Sequence, residues 1–226
     1  MWSKLDRKLL TGVLRLLILG VLATPVAGVA EPLKTGDAAR NFTAVLQVLQ
    51  GDVRRLEGAD LPAVQRPVVE ARVKSFLNVL PLMAREYLSA DAGLEQATVL
   101  RLRKLAVDYR QGRSEAFGRT LEGLLADFPL DTRWLTRAPA TGSQIRWAGS
   151  LYANQCISCH GYQAPKDRMP APDLFAWAHE MKLKEFAARL IVGVRGTPKI
   201  GLRNPLSKDQ MAALVAYFDS RNSSTQ

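Results

Sequence analysis

Both cysteines of the 226-residue chain, and one of its two histidines, lie in a single motif of five residues. The motif is Cys156-Ile157-Ser158-Cys159-His160. Cysteines three positions apart share one side of a helical turn, and here an imidazole directly follows the second thiol. No other cysteine is left for a disulfide framework, so an apolar core has to hold the rest of the fold. With 47% hydrophobic and 23% charged residues, the composition is globular and excludes wholesale disorder or a collagen-like rod.

The order C-x-x-C-H is the attachment signature of a covalently bound c-type haem. Two thiols on one helical turn each form a thioether to one edge of the porphyrin. The imidazole that follows then lies beneath the iron as its proximal ligand. The motif therefore predicts one covalent haem c, bound by Cys156 and Cys159, with His160 as the ligand of the iron.

Three other interpretations of the two thiols remain open. A thioredoxin-like dithiol needs a preceding β-strand and an α/β sheet, which the sequence does not predict. A zinc site formed by Cys156, Cys159, His160 and His179 is awkward, because the adjacent Cys159 and His160 would have to reach the same ion. A structural disulfide would close a loop of only two residues and would gain little closure entropy.

Residues 1–30 have the three parts of a secretory signal peptide. Three basic residues come first, Lys4, Arg7 and Lys8. An apolar stretch follows over residues 16–26, and the small residues Gly28 and Ala30 precede a cleavage point after position 30. The alternative is an uncleaved membrane anchor, although the apolar stretch is short for a span. In either case we expect a periplasmic protein, which associates with the membrane only if this segment is retained.

The chain is basic, with 31 Lys and Arg against 21 Asp and Glu. The first 30 residues carry four basic and one acidic side chain, so about +7 of the formal +10 remains without them. Such a charge favours a redox partner protein with an acidic docking face. No Lys/Arg run with interleaved aromatic residues is present, and nucleic-acid binding is therefore not predicted.

Residues 36–138 have the apolar periodicity of a helical domain, a bundle of three or four antiparallel helices. The stripes of its helices are Val69, Val73, Phe76, Leu77 and Leu80, then Leu94, Leu102, Leu105 and Tyr109, then Phe117, Leu121, Leu124 and Leu125. Breaks are expected at 58–62, near Pro81, at 90–93 and at Gly112. The domain has no His or Cys, so its role is not predicted. A linker at 138–143 ends it.

The last helix of the second part, residues 143–226, has a defined start. Ser207 with Gln210 three positions on forms a capping box, and Leu206 and Met211 occupy the flanking staple positions. This pattern places Met211 in the core rather than on a metal.

Several segments around the C-x-x-C-H motif share a pattern. They are Gly149-Ser150-Leu151-Tyr152 before it, Gly161 after it, Pro172-Asp173-Leu174, and Leu183 to Val192 followed by Gly193. With these segments, residues 143–226 resemble a class I c-type cytochrome domain. The resemblance implies a compact fold around one haem, in which Gly149 lets the C-terminal helix cross closely against Tyr217 or Phe218. It also implies that the Pro172 carbonyl orients the proximal imidazole. The chain is thus predicted to be all-α, a helical bundle plus a small cytochrome c-like domain.

The resemblance fails at the sixth iron ligand. In that family the loop after Gly193 carries a Met, but here Thr197 precedes Pro198, and Lys199 follows it. His179, Lys199 and Met181 remain as candidates, together with an open or water-bound position. Met169 follows His160 by only nine residues and is expected on the proximal side.

The ligand set bears directly on function. Because a Met sulfur raises the potential of haem, its loss predicts a lower potential than in electron-shuttling relatives. We expect a carrier of single electrons that is not an enzyme. The alternative is a haem-based binder or sensor of small ligands, with an open or non-Met sixth position. A peroxidase-like activity would need a distal acid–base residue, for which only His179 or Glu180 is available.

Overall fold

The computed structural model describes residues 35–59, 61–135, 140–161, 171–193 and 206–220. The predicted signal peptide, residues 1–30, lies outside these ranges. The described residues are helical and include no β-strand, which confirms the predicted all-α class. No helix in the described part has both the length and the hydropathy that a membrane span requires.

Four long helices come first: α1 (Thr35–Glu57), α2 (Arg66–Leu88), α3 (Ala92–Arg110) and α4 (Ser114–Asp127). A 3₁₀ turn, Arg133–Leu135, follows them. The second part contains α5 (Gly142–Leu151), a π-helical turn (Tyr152–Cys156), α6 (Ile157–His160), α7 (Leu174–Glu180), α8 (Leu183–Val192) and α9 (Lys208–Asp219). We refer to α1–α4 as the leader helices.

The predicted apolar stripes form the core of the leader helices. All five residues of the α2 stripe are buried, from Val69 to Leu80, and α2 packs between α1 and α3. The prediction for Leu94 is wrong, because its side chain is 44% exposed. Leu94 lies in the first turn of α3, where the Asp91 carboxylate caps the helix by accepting a hydrogen bond from the Leu94 N–H at 3.0 Å.

The expected break near Pro81 is also wrong, since α2 continues through this residue to Leu88. A proline inside a helix removes the hydrogen bond to the carbonyl four residues earlier, and this typically costs about 3 kcal/mol. The helix persists because Leu77, Leu80 and Ala84 on both sides of the proline are buried in the core.

The other expected helix breaks, at 58–62, at 90–93 and at Gly112, are confirmed. Gly112, which separates α3 from α4, has the left-handed φ of 66° that favours glycine.

Two capping boxes fix the helix starts of the second part. Thr141 and Gln144 cap α5, and Ser207 and Gln210 cap α9 as predicted, with the Gln210 side chain accepting from the Ser207 N–H at 2.9 Å. Met211 follows and is fully buried, which confirms its place in the core.

The two parts share one core. The larger cluster of buried side chains combines residues of α1–α4 with Ala188, Ile191, Val192 and Met211 of the second part. Helix α8 packs along α1, and the described residues of both parts belong to one compact unit. The division into domains at 36–138 and 143–226 stays a prediction.

A buried carboxylate ties the end of α3 to the start of α4. Asp108 is fully buried and pairs with Lys104 and with Arg113 Nη2, the latter at 2.8 Å. The Lys104 hydrogen bond is the main cause that lowers the pKa of Asp108, and Arg113 adds to it against the effect of burial. A carboxyl whose pKa is lowered on folding contributes stability above its unfolded pKa and loses that contribution as the pH falls through the folded value.

We expect Asp108→Asn to lower the urea midpoint of unfolding at about pH 7, where the wild-type carboxylate is ionised in both states. The difference between the two proteins should shrink below the usual aspartate value of 3.8. Glu115→Gln is the control, because the Glu115–Arg119 pair is exposed and such pairs contribute about 0–1 kcal/mol. A difference that grows as the pH falls would contradict this account of Asp108.

Candidate functional site

The two thiols and the imidazole of the motif lie at the end of one continuous helical segment. Helix α5 widens into the π-helical turn that ends at Cys156, and α6 then carries Cys159 and His160. Both cysteines are free thiols. Cys156 is half-buried against an aromatic cluster, whereas the Cys159 side chain is exposed. The site therefore presents one thiol at the protein interior and one at the surface.

The His160 imidazole is held by a backbone carbonyl. Its Nδ1 lies 2.8 Å from the carbonyl oxygen of Pro172. Because a carbonyl only accepts, Nδ1 carries the proton and donates it, and Nε2 is the nitrogen with a lone pair for a metal. This confirms the predicted contact between the Pro172 carbonyl and the His160 ring. The contact is one that fixes both the tautomer and the ring orientation of a metal-binding histidine.

The Pro172 carbonyl is in turn fixed by the start of α7. Asp173 is the N-cap of this helix, and its carboxylate accepts from the backbone N–H groups of Phe175 and Ala176 at 2.8 and 3.2 Å. The backbone N–H of Trp177 donates to the Asp173 carbonyl at 3.0 Å. The position of α7 thus sets the position of the carbonyl that holds His160.

The aromatic cluster behind Cys156 consists of Tyr152, Phe175, Phe186, Tyr217 and Phe218. Neighbouring rings are tilted or edge-to-face, with centroids between 5.1 Å (Phe175–Phe218) and 6.0 Å (Tyr152–Tyr217). Such pairs contribute about 0.5–1.5 kcal/mol beyond the burial of their area. The cluster thus forms a buried, apolar support behind the turn that carries Cys156.

Two glycines permit this geometry. A Cβ at Gly149 would lie 3.0 Å from Cε2 of Tyr217, so the absence of a side chain lets α9 cross closely over α5, as predicted. A Cβ at Gly161 would lie 2.9 Å from the carbonyl oxygen of Ile157, which explains a glycine directly after the histidine.

The donor set fits covalent haem attachment. Two thiols on one helical turn, with an imidazole whose Nε2 is kept for a metal, are the groups that this chemistry requires. The other interpretations find less support in the described residues. They provide no sheet for a thioredoxin-like dithiol, no group of three His, Cys, Asp or Glu side chains for zinc, and no Cys156–Cys159 disulfide.

The candidates for the sixth ligand are only partly located. His179 lies on the exposed side of α7, and Met181 ends that helix and packs against the aromatic cluster. Thr197 and Lys199, as well as Met169, lie outside the described residues. The identity of the sixth ligand stays a prediction.

A buried ionic network joins the leader helices to α8, and no motif or period in the sequence predicts it. Asp52 of α1 is fully buried and accepts hydrogen bonds from Arg72 of α2 at 2.5 and 2.7 Å and from Arg189 of α8 at 3.0 Å. Glu185 of α8 accepts from Arg189 at 2.8 Å and also pairs with Arg54. The only signal in the sequence is that Asp52 occupies the apolar face of α1, four positions after the buried Val48.

An arginine–tryptophan stack lies beside this network. The Trp177 ring of α7 has the Arg189 guanidinium at 5.1 Å from its centroid and the Arg55 guanidinium at 5.4 Å. Burial, followed by repulsion from Arg189, lowers the pKa of Arg55. Gly51 permits the close approach of α1 and α8, because a Cβ there would lie 2.6 Å from Cδ of Glu185 and 2.9 Å from Nη2 of Arg189.

Comparison with known proteins supports the resemblance found in the sequence. Residues 143–218 match the family model described as cytochrome C oxidase, cbb3-type, subunit III. No curated protein and no solved structure matches the chain significantly.

In the folded, haem-free protein we expect iodoacetamide to alkylate Cys159 faster than Cys156 at about pH 8. Burial, with a smaller contribution from Cys159, raises the pKa of the Cys156 thiol, which reduces its thiolate fraction, while Cys159 is exposed. Mass spectrometry after short labelling times measures both rates. The rates should converge in denaturant, and faster labelling of Cys156 in the folded protein would contradict the observed burial.

Proposed function

Because residues 143–218 form a c-type cytochrome domain, we propose that the chain is a periplasmic, mono-haem cytochrome that carries single electrons. The haem would be bound covalently through Cys156 and Cys159, with His160 as the proximal ligand of the iron. The observation that carries the proposal is the His160–Pro172 hydrogen bond of 2.8 Å, which reserves Nε2 for a metal at the end of a turn with two thiols.

The chain's own residues have defined tasks in this proposal. When bound, a haem supplies an iron that changes reversibly between two oxidation states. The two thiols hold the porphyrin edge, and the Pro172 carbonyl keeps the imidazole in one tautomer and orientation. The cluster of Tyr152, Phe175 and their neighbours keeps water from the back of the turn. A rigid, dry surrounding of this kind suits electron transfer, because little has to reorganise when the charge of the iron changes.

The surroundings of the attachment turn support exchange of electrons with another protein. Ile157 is 44% exposed and Cys159 is exposed, so the turn lies at the protein surface. The formal net charge of +10, of which about +7 remains without residues 1–30, favours a redox partner with an acidic docking face. The signal-like segment 1–30 supports export, and the chain would transfer electrons without substrate chemistry of its own.

A haem-based binder or sensor of small ligands is the second candidate, and the positions of the methionines favour it. Residues 193–205 contain no Met, and Met211 is fully buried in the core of the leader helices. Met181 packs against the aromatic cluster. A sixth position without a thioether would lower the potential, and one that is open or water-bound would leave room for a diatomic ligand.

We expect the exported full-length chain to keep its haem on a denaturing gel, with one haem per chain by pyridine haemochrome. The Cys156→Ala/Cys159→Ala double variant should lose the haem stain, because no thioether can form. Ser158→Ala, between the two cysteines, is the matched control and should retain it. A colourless wild-type protein, or a stain that survives the double substitution, would refute the proposal.

The sixth ligand decides between the two candidate functions. We expect a ferric spectrum without the long-wavelength band of methionine ligation, because the segment after Gly193 has no Met. If the reduced protein binds CO readily, the ligand-binding function is favoured, and if it does not, the electron carrier is favoured. His179→Ala and Lys199→Ala should alter the spectrum only where that side chain binds the iron, and a methionine band would instead implicate Met181.

A further inference from the structure

A continuous series of contacts runs from the leader helices to the proximal histidine. It begins at Asp52, which is fully buried and receives the Arg189 guanidinium at 3.0 Å. Arg72 occupies both oxygens of the same carboxylate and is itself 6% exposed. Because Arg72 holds the Asp52 carboxylate, α1 and α2 fix the acceptor of Arg189 Nη1, while Glu185 of α8 holds the other side of the same guanidinium.

The second step leads from Arg189 to α7. The guanidinium lies 5.1 Å from the centre of the Trp177 ring, and Arg55 of α1 lies 5.4 Å from the same centre. Stacking of this kind is more favourable for tryptophan than for any other ring. The indole thus contacts two arginines, one of which binds the buried Asp52, in addition to packing against the aromatic cluster.

The third step leads from Trp177 to His160. Helix α7 is only seven residues long, and the Trp177 N–H donates to the Asp173 carbonyl at 3.0 Å. Pro172 directly precedes Asp173, and its carbonyl accepts from His160 Nδ1 at 2.8 Å. In so short a helix, a displacement of Trp177 moves the first turn and with it the carbonyl that holds the imidazole.

We propose that Asp52, Arg189 and Trp177 are positioning residues for His160, through which the leader helices set the hydrogen bond on the proximal ligand. The inference rests on the proposed function, since it gives the leader helices a role in controlling the haem iron. A carbonyl that accepts from Nδ1 makes the imidazole a stronger donor and stabilises the oxidised iron. Loosening of this bond therefore raises the midpoint potential.

Two substitutions separate positioning from a direct effect of charge. Asp52→Asn removes a negative charge and Arg189→Gln removes a positive one, so their direct electrostatic effects on the potential have opposite signs. If these residues act by positioning His160, both variants should shift the midpoint potential in the same direction. In the full-length, haem-loaded chain, we expect both variants to have a higher midpoint potential than the wild type, measured by spectroelectrochemistry.

A second measurement does not depend on redox activity. Exchange of the His160 Nδ1 proton with solvent, followed by NMR in the reduced protein, should be faster in both variants than in the wild type. If either of these two variants fails to fold, Trp177→Phe keeps a ring in place with a weaker cation–π contact. This variant is expected to shift the potential and the exchange rate in the same direction by a smaller amount.

Asp108→Asn is the matched control. It also removes a buried, ion-paired carboxylate of the leader helices, but its partners Lys104 and Arg113 belong to the leader itself. It should lower stability and leave the potential and the proton exchange of His160 unchanged. Shifts of opposite sign for Asp52→Asn and Arg189→Gln, wild-type values in both, or an equal shift in Asp108→Asn would each overturn the inference. A wild-type chain without covalent haem would instead refute the proposed function, and with it this inference.

Discussion

The close packing of α1 on α8 is the contact on which the rest of the structure depends. It is possible only because Gly51 has no side chain where Glu185 and Arg189 cross α1. The crossing brings the Arg189 guanidinium onto the fully buried Asp52. It also brings Ala188, Ile191 and Val192 into the core of the leader helices, so that α8 contributes to two clusters of apolar side chains.

The local features of the fold were predictable because each is determined by a few neighbouring residues. The capping box of Ser207 and Gln210 needs only four positions, and the apolar stripe of α2 needs only the helical period. The motif Cys156–His160 is also determined by neighbouring residues alone, since its two thiols and its imidazole lie within five positions. The contact of the Pro172 carbonyl with His160 was also predictable, because the family resemblance places that proline at a known position relative to the motif.

The features that were missed depend on contacts between distant parts of the chain. Asp52 and Arg189 are separated by 137 positions, and no period or motif relates them. Leu94 has the spacing of a core residue but lies in the first turn of α3, where the capping geometry leaves it exposed. Proline usually ends a helix, but α2 continues through Pro81. Apolar residues on both sides of the proline are buried against neighbouring helices, and the free energy of their burial exceeds the cost of one lost hydrogen bond.

A buried ion pair is a poor source of stability, because the cost of removing two charges from water offsets most of their attraction. It is a strict constraint on geometry, however, since loss of one partner leaves an uncompensated charge and costs about 3–5 kcal/mol. An apolar contact between α1 and α8 would be nearly as favourable in several registers. The bidentate Arg72–Asp52 pair holds the carboxylate that receives the Arg189 guanidinium, and the same guanidinium stacks on the Trp177 ring. The network therefore favours this arrangement of α7 and α8 over others that apolar packing alone would permit.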